Sequence, residues 1–382
     1  MNLSESISQL VSKLESLSLF EDKGHLDHPE DLIFLGGSQG AKRALDAIQA
    51  TVKNPQTVTI KWDGYPALIF GHGRDGKFSI MDKHMFNKKD RTGRQVFSPE
   101  EFVKYDQARG VDRTGLHQII AQIWPGLASA SKGTMGYYWG DLLFTQPLKN
   151  EGGYYTFRAN PNGITYKVAA NSEVGQLMGG EKAGIAVHQY IPAEADSTDQ
   201  AQPLDGTIGQ LKNNSDVAIV PSKMPITPKL QLDVNLVKNV QNALNMFGPV
   251  VDKMMNAAPQ SRATFNTLFT VYINKKIVSG DLNNLVDGFL KFVQERPMTD
   301  AMKEKILDHF ENNTEGLVGA FTIWAEMYKL KMYIVNQLNK AAEASPVLGY
   351  LQDGTQTQEG FVAQGLKFVD RMGFSRQNLA GR

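Results

Sequence analysis

The chain has 382 residues, and its 40 Lys and Arg balance 40 Asp and Glu, so the net charge is zero at neutral pH. That balance argues against a surface that is one continuous polyanion-binding face; any nucleic-acid partner must be held by a local patch. With no cysteine, disulfides, thiolate metal sites and a thiol nucleophile are excluded, which leaves lysine, carboxylates, histidine and metal-bound water to carry chemistry.

Length and a hydrophobic content of 41% favour two or three structural units. At the N-terminus, Ile7, Leu10, Val11, Leu14 and Leu17 are spaced among Ser, Glu and Lys, which predicts an amphipathic helix within residues 1–24 rather than a signal segment. No apolar run approaches the roughly 20 residues needed to cross a bilayer. The expectation is therefore a soluble, cytoplasmic protein with no membrane partner, in the host cytoplasm if phage-encoded. His25 and His28 form a His-x-x-His pair, but no companion acids stand at metal-like spacing, so structural or surface roles are expected.

Gly36-Gly37-Ser38-Gln39-Gly40 precedes a run of helix formers. The Gly-x4-Gly-Lys-Ser/Thr spacing of a phosphate loop is missing, so this reads as a helix start with Ser38 as its cap. Strand texture follows in residues 57–60, 67–70 and 76–80, and the turns between them suggest an antiparallel meander. The stretch Lys83-His84-Met85-Phe86-Asn87-Lys88-Lys89-Asp90-Arg91 interleaves cations with an aromatic. It is either a grip for phosphates and a base or a solvated loop. Residues 98–130 read as helical, 136–144 as a strand, and 154–158, 163–168 and 183–190 as further strands. A polar loop spans 192–203. Nearly everything from 231 to 345 is helical in pattern, and the stripe from Leu317 to Leu338 is expected to be core. Strand texture returns in the final thirty residues, at 359–362 and 366–369. The fold class is thus α+β, with a core over 25–230 that is completed by 346–382 and interrupted by an all-helical module at 231–345.

The segment that carries chemistry is Ile60-Lys61-Trp62-Asp63-Gly64-Tyr65-Pro66. A lysine at the end of a β-run, followed by an acid and a glycine turn, stands at the lip of a sheet, where desolvation and nearby cations lower its pKa and make the neutral amine a nucleophile. This segment resembles motif I of the covalent nucleotidyltransferases, which comprise ATP-dependent DNA ligases, RNA ligases and mRNA capping enzymes. Tyr138-Trp139-Gly140-Asp141-Leu142-Leu143 resembles motif III, Glu359-Gly360-Phe361-Val362 motif IV, and Leu366-Lys367-Phe368-Val369 motif V. Residues 183–188 lie where the family has the apolar strand before motif IV. The wider string, from His28-Pro29-Glu30-Asp31 to Ser375-Arg376, also resembles uncharacterised ligase-like proteins of large tailed phages.

The resemblance implies an antiparallel-sheet adenylation core, ATP and Mg²⁺ (or Mn²⁺) as cofactors, and nucleic acid, RNA more than DNA, as partner. It implies that Lys61 forms the lysyl-AMP and that Lys367 neutralises the α-phosphate. Asp141 takes the place of the family's ribose-binding Glu, and Glu359, with Asp141, holds the cation. Ile60, Asp63, Gly64, Lys83 and Tyr138 complete the nucleotide pocket, where Tyr138 or Phe361 stacks on adenine. Lys88, Lys89, Arg91, Arg371 and Arg376 are expected on the nucleic acid. Three positions differ from the family pattern: Pro66 replaces an Arg, Asp141 a Glu, and Lys367 is without a second Lys beside it. About fifteen residues follow the motif V segment, too few for an OB-fold, which tilts the expectation toward RNA ligase; a DNA nick ligase or a non-catalytic nucleotide- or nucleic-acid-binding phage protein are the alternatives.

Overall fold

A computed structural model describes residues 26–90, 92–160, 163–204, 208–258 and 262–373. The expected helix within 1–24, His25, Arg91 and Arg376 lie outside these residues. The strands are β1 (Thr59–Ile60), β2 (Ala67–His72), β3 (Phe78–Met81), β4 (Gly136–Phe144), β5 (Asn150–Glu151), β6 (Tyr154–Phe157), β7 (Thr165–Ala169), β8 (Ala183–Ile191), β9 (Gln202–Pro203), β10 (Val217–Pro221), β11 (Val347–Tyr350), β12 (Phe361–Ala363) and β13 (Leu366–Phe368). The chain divides into a sheet-rich unit, residues 55–229 with 337–362, and a helical unit, residues 1–54, 230–336 and 363–382. Residues 26–54 and 363–373, expected with the sheets, group with the helices.

In the sheet-rich unit six strands form one sheet. β4 lies between β2 and β8, β3 flanks β2, β10 runs parallel to β8, and β9 adds to β8. The sequence explains the central place of β4, because Gly-Tyr-Tyr-Trp-Gly-Asp-Leu-Leu-Phe is apolar on both faces and nearly all buried. Such a strand needs cover on both sides. The helix Thr114–Ala130 supplies part of it, bringing Ile120, Ile123 and Leu127 into one core with Leu68, Phe70 and Ile219. A second, antiparallel sheet runs β11-β7-β6-β5. The expected meander is corrected at its first strand. β2 and β3 form a hairpin, but β1 leaves it to pair with β12, Thr59 opposite Val362 and Ile60 opposite Phe361. A two-residue strand cannot announce a partner three hundred residues away.

In the helical unit, the helices Leu32–Lys53, Val234–Asn256, Arg262–Ser279, Leu285–Glu295, Asp300–Glu311 and Thr314–Ala342 close around stacked rings. Phe269 is parallel to both Phe34 and Phe289 at 4.7 Å, and Phe321 meets Phe269 edge-on. As expected, the Leu317–Leu338 stripe is core, with Leu317, Phe321, Trp324, Leu330 and Leu338 buried. The glycine cluster breaks the first helix, with Gly37 at φ 59°. Behind the break the Ser38 N–H donates to Asp252 Oδ1 at 2.7 Å and its hydroxyl to Oδ2 at 2.6 Å. A carboxylate from another helix therefore occupies the anion-favouring helix start; a Cβ at Gly37 would collide with it.

The same unit buries four charges. Lys331, with no exposure, bonds Glu30 at 2.8 Å and the Val369 carbonyl at 2.9 Å. Arg371 grips both oxygens of Asp31 at 2.9 Å, reaches Glu30 at 3.3 Å and bonds Asn274. Trp324 Nε1 donates to Asp31 at 2.9 Å. Arg371, 7% exposed, is thus committed to internal carboxylates, which corrects the expectation that it contacts nucleic acid. His28 stands beside this network; burial, reinforced by Arg371, Lys331 and Lys367, holds its imidazole well below the usual range, in keeping with a structural role. Among the described residues no helix is long and apolar enough to cross a membrane.

Candidate active site

Lys61 directly follows β1, and Glu359 stands two residues before Phe361, the first residue of β12, so the pairing of these two short strands brings both together. The Lys61 N–H donates to the Gly360 carbonyl at 2.9 Å, and across that register the Lys61 ammonium bonds Glu359 Oε1. Asp141 arrives from β4 through the glycine turn. Tyr65 N–H donates to Leu142 C=O at 2.9 Å and Leu142 N–H to Pro66 C=O at 3.1 Å, which presses Gly64 against the strand. A Cβ at Gly64 would lie 2.5 Å from the Asp141 Cβ and 2.9 Å from the Leu142 carbonyl. Glycine is required there by close approach.

Asp63 points inward. Its carboxylate accepts from Ile164 N–H at 2.8 Å and Asn160 Nδ2 at 3.3 Å, while its own N–H donates to the Tyr166 hydroxyl at 2.7 Å. Gly163 leaves room for this, since a Cβ there would overlap the carboxylate. Trp62 packs against Tyr166 with ring centroids 4.8 Å apart. Lys61 thus emerges from a turn held rigid on its buried side, with its own side chain 31% exposed.

Three acids face one lysine. Burial is the largest influence on the Lys61 amine and lowers its proton affinity, yet Glu359, Asp141 and Asp63 together outweigh it and the pKa is raised. This corrects the expectation of a lysine already poised as a neutral nucleophile: without ligand it is an ammonium. Glu359 shows the other side of the imbalance. Burial, with repulsion from Asp63 and Asp141, pushes its carboxyl up to about 7 against the pull of Lys61. Its Oε2 is buried without a hydrogen-bond partner among the described residues. Burial likewise raises Asp63.

The sequence reading missed His188. The pairing of β4 with β8 shifts between Trp139 and Gly140, opposite Gln189 and Val187, so His188 is the extra residue of a β-bulge, a device that re-aims a side chain. Its Nε2 lies 3.4 Å from Asp141 Oδ2 and its ring 5.8 Å from Trp139. Lys83 sits over the same Trp139 ring at 5.8 Å. Only a histidine within an apolar run hinted at this in the sequence.

Other expected residues fall elsewhere. Tyr138 and Phe361 are 3% and 0% exposed and pack into the core, which corrects their assignment to adenine stacking. Ile60 is also buried, its N–H bonded to the Ser222 carbonyl at 2.7 Å. Lys88 is engaged within its own loop by Asp90 at 3.3 Å and Thr92 at 2.9 Å, Lys89 is exposed, and Phe86 is buried, so the base-stacking half of that reading fails. Lys367 belongs to the helical unit, where its N–H donates to the Asp27 carbonyl at 2.9 Å. A cleft of about 800 Å³ begins at Tyr65 and Pro66, with Leu142, Phe144, Phe157 and Arg158 among its walls; Tyr65 is 68% exposed at its rim.

The donor set at Lys61 is hard oxygen, which suits Mg²⁺ or Mn²⁺, and the unpartnered Glu359 oxygen is a vacant acceptor within it. Among the described residues no three acidic or histidine side chains converge as a closed ligand cage. A divalent ion held here would take one or two carboxylates and complete its shell with phosphate and water oxygens, the usual habit of Mg²⁺.

Fold and site together define a mixed α+β protein with antiparallel sheets, a helical unit and a lysine set among carboxylates. A family model described as a family of unknown function (DUF6267) matches residues 23–382, and the chain belongs to that family. No curated protein matches the chain, and no solved structure does.

Proposed function

We propose that the protein is an ATP-dependent polynucleotide ligase of the covalent nucleotidyltransferase type, with RNA as the preferred acceptor, working through a lysyl-AMP on Lys61. The observation that carries this reading is convergence: the segments resembling motifs I, III and IV, some 80 and 300 residues from Lys61 along the chain, contribute Lys61, Asp141 and Glu359 to one cluster in one unit. A chance Lys-x-Asp-Gly hairpin has no reason to gather the other two.

In this mechanism Lys61 Nζ attacks the α-phosphorus of ATP, an N–P bond forms, and the bond to the β-phosphate oxygen breaks with its electron pair leaving on pyrophosphate. The amine must first shed a proton, and Glu359, already paired to it and with its carboxyl pushed up to about 7, is placed to accept it. A bound Mg²⁺, held by Asp141, would supply positive charge to the phosphates. Asp63, Gly64 and Ile60 fix the turn that aims Lys61, and Asp141 stands beside the amine for the ribose or the cation. The 5′-phosphate of a polynucleotide then takes AMP from Lys61, and a 3′-hydroxyl displaces AMP to close the phosphodiester. The exposed Tyr65 and the Arg158 cleft beside this turn offer an aromatic and a cation for an end to be joined.

Incubation with α-labelled ATP and Mg²⁺, followed by denaturing electrophoresis, tests the first step. The label is expected on the wild type and absent from Lys61→Ala; transfer to 5′-phosphorylated RNA but not DNA then fixes the acceptor. No label with ATP, GTP or NAD would end the ligase reading and leave a nucleotide- or nucleic-acid-binding protein.

A further inference from the structure

We infer that the open face of the second sheet, β11-β7-β6-β5, seats the single-stranded stretch of the polynucleotide to be joined and leads it to the cleft at Tyr65. The inference takes the identity of the strand from the ligase reading and names the surface that binds it. Alternation along the strands divides the residues between the two faces of the sheet. Phe157, Tyr166, Val168 and Val347 are buried on one face, and Phe157 and Tyr166 pack there against Trp62 of the Lys61 turn. The other face carries Tyr154, Thr156, Thr165, Lys167, Leu348 and Tyr350, and none of these six is buried. The register sets them in rows: Leu348, Lys167 and Thr156 across the middle, Tyr350 beside Thr165 at one end, and Tyr154 beside Ala169 at the other. One sheet thus braces the nucleophile's turn with its covered face and presents two tyrosines and a lysine on the other.

Charge and continuity identify the occupant. The Lys167 ammonium lies 4.5 Å from the centre of the Tyr154 ring. Arg158, the residue after β6, donates from Nε to Thr165 Oγ1 at 2.7 Å, which turns its guanidinium onto the same face. Two cations set between two phenol rings suit a single strand, whose bases lie open to stack on the rings while its phosphates meet the cations. A duplex keeps its base faces in its own stack and cannot use the rings. Thr156 and Arg158 also line the cleft of about 800 Å³ that begins at Tyr65 and Pro66, so the open face and the hollow beside the Lys61 turn share a border along β6. A second hollow, of about 500 Å³, lies at the other end of the face, with Asn150, Gly153, Tyr154 and Asn171 in its lining. Glu151, opposite Tyr154 on β5, and Asp112, across the cleft and bonded to the Thr114 hydroxyl at 2.8 Å, stand at the margins. In a chain of zero net charge a polyanion needs such a local patch.

The test is fluorescence anisotropy: the full chain is titrated into a short, unstructured, 5′-phosphorylated RNA labelled at its 3′ end, and urea unfolding checks that each variant keeps the wild-type fold. Tyr350→Leu and Tyr154→Leu remove a ring and keep apolar bulk, and each is expected to weaken binding about tenfold, while Tyr350→Phe binds as the wild type does. Lys167→Met is expected to lower the slope of log affinity against log salt by about 0.7, the mark of one lost phosphate contact on a single strand. No binding by the wild type, wild-type affinity in both leucine variants, a salt slope unchanged in Lys167→Met, or equal affinity for the same RNA annealed to its complement would overturn the assignment. Labelling by α-labelled ATP, a step that needs no acceptor, separates this from the fate of the ligase reading. A wild type that forms no lysyl-AMP but loses RNA binding in the leucine variants keeps the face and removes the ligase reading. One that forms lysyl-AMP but binds RNA equally with or without the rings keeps that reading and removes the face.

Discussion

Two of the charge clusters among the described residues look alike in composition and differ in balance and access. In the helical unit, Glu30 and Asp31 meet Lys331 and Arg371, two acids and two bases, all but sealed from water. In the sheet-rich unit, Glu359, Asp63 and Asp141 meet Lys61 alone, with His188 at the edge and the lysine one-third exposed. The first has little left to offer a ligand. Burial alone would raise Glu30, but Lys331 and Arg371 hold it low, while burial and the neighbouring Glu30 push Asp31 up and burial pushes Lys331 down. The second carries an excess of negative charge and an unpartnered carboxylate oxygen. A balanced, closed network fastens a fold, whereas an unbalanced, open one is where binding a cation or a substrate brings relief.

The sharpest way to break this comparison is to delete one lysine from each cluster. Lys331→Met leaves Glu30 in a closed interior with Arg371, at 3.3 Å and shared with Asp31, as its remaining cation, and is expected to cost about 3–5 kcal/mol in urea unfolding. Lys61→Met is expected to cost no more than about 1 kcal/mol, because Glu359 can take up a proton instead; equal losses would mean that both clusters are structural. The pH response comes next. The folded state keeps the Glu359 proton up to about 7, while the unfolded chain loses it near 4.5. The unfolded state therefore binds fewer protons between these values, and this group makes stability fall as pH rises through that window, by at most about 3 kcal/mol. Glu359→Gln should flatten that part of the pH–stability curve, and a slope unchanged by the substitution would refute the assigned environment. A small effect is also expected from Trp324→Phe, which removes one donor from Asp31 while Arg371 still holds it. About 1 kcal/mol is expected, against a much larger loss for Lys331→Met.

Much of the sheet-rich unit was legible because its strands are long and apolar. β4 and β8 fall within a residue or two of their expected limits, and five helices occupy the stretch expected to be helical. β10 and β11 escaped notice, being short apolar runs with no alternation to separate strand from loop. At the site, Lys61, Asp63, Asp141 and Glu359 were named from their motifs. His188 was not, because a bulge is a property of two paired strands. Arg371 was misassigned for a related reason: an arginine near the chain end reads as exposed until its buried carboxylate partners, 340 and 341 residues away, are seen.

What the sequence determined by itself is local: periodicity fixed the helices, apolar runs fixed the main strands, and the turn chemistry of Asp63-Gly64 fixed where Lys61 would emerge. What tertiary structure alone decided is proton affinity and company. The Lys61 amine is held as an ammonium because β1 pairs with β12 and the Gly64 turn lies on β4, which brings two carboxylates from distant segments, Glu359 and Asp141, to join the neighbouring Asp63. Electrostatic energy depends on distance through space, and separation along the chain does not report it.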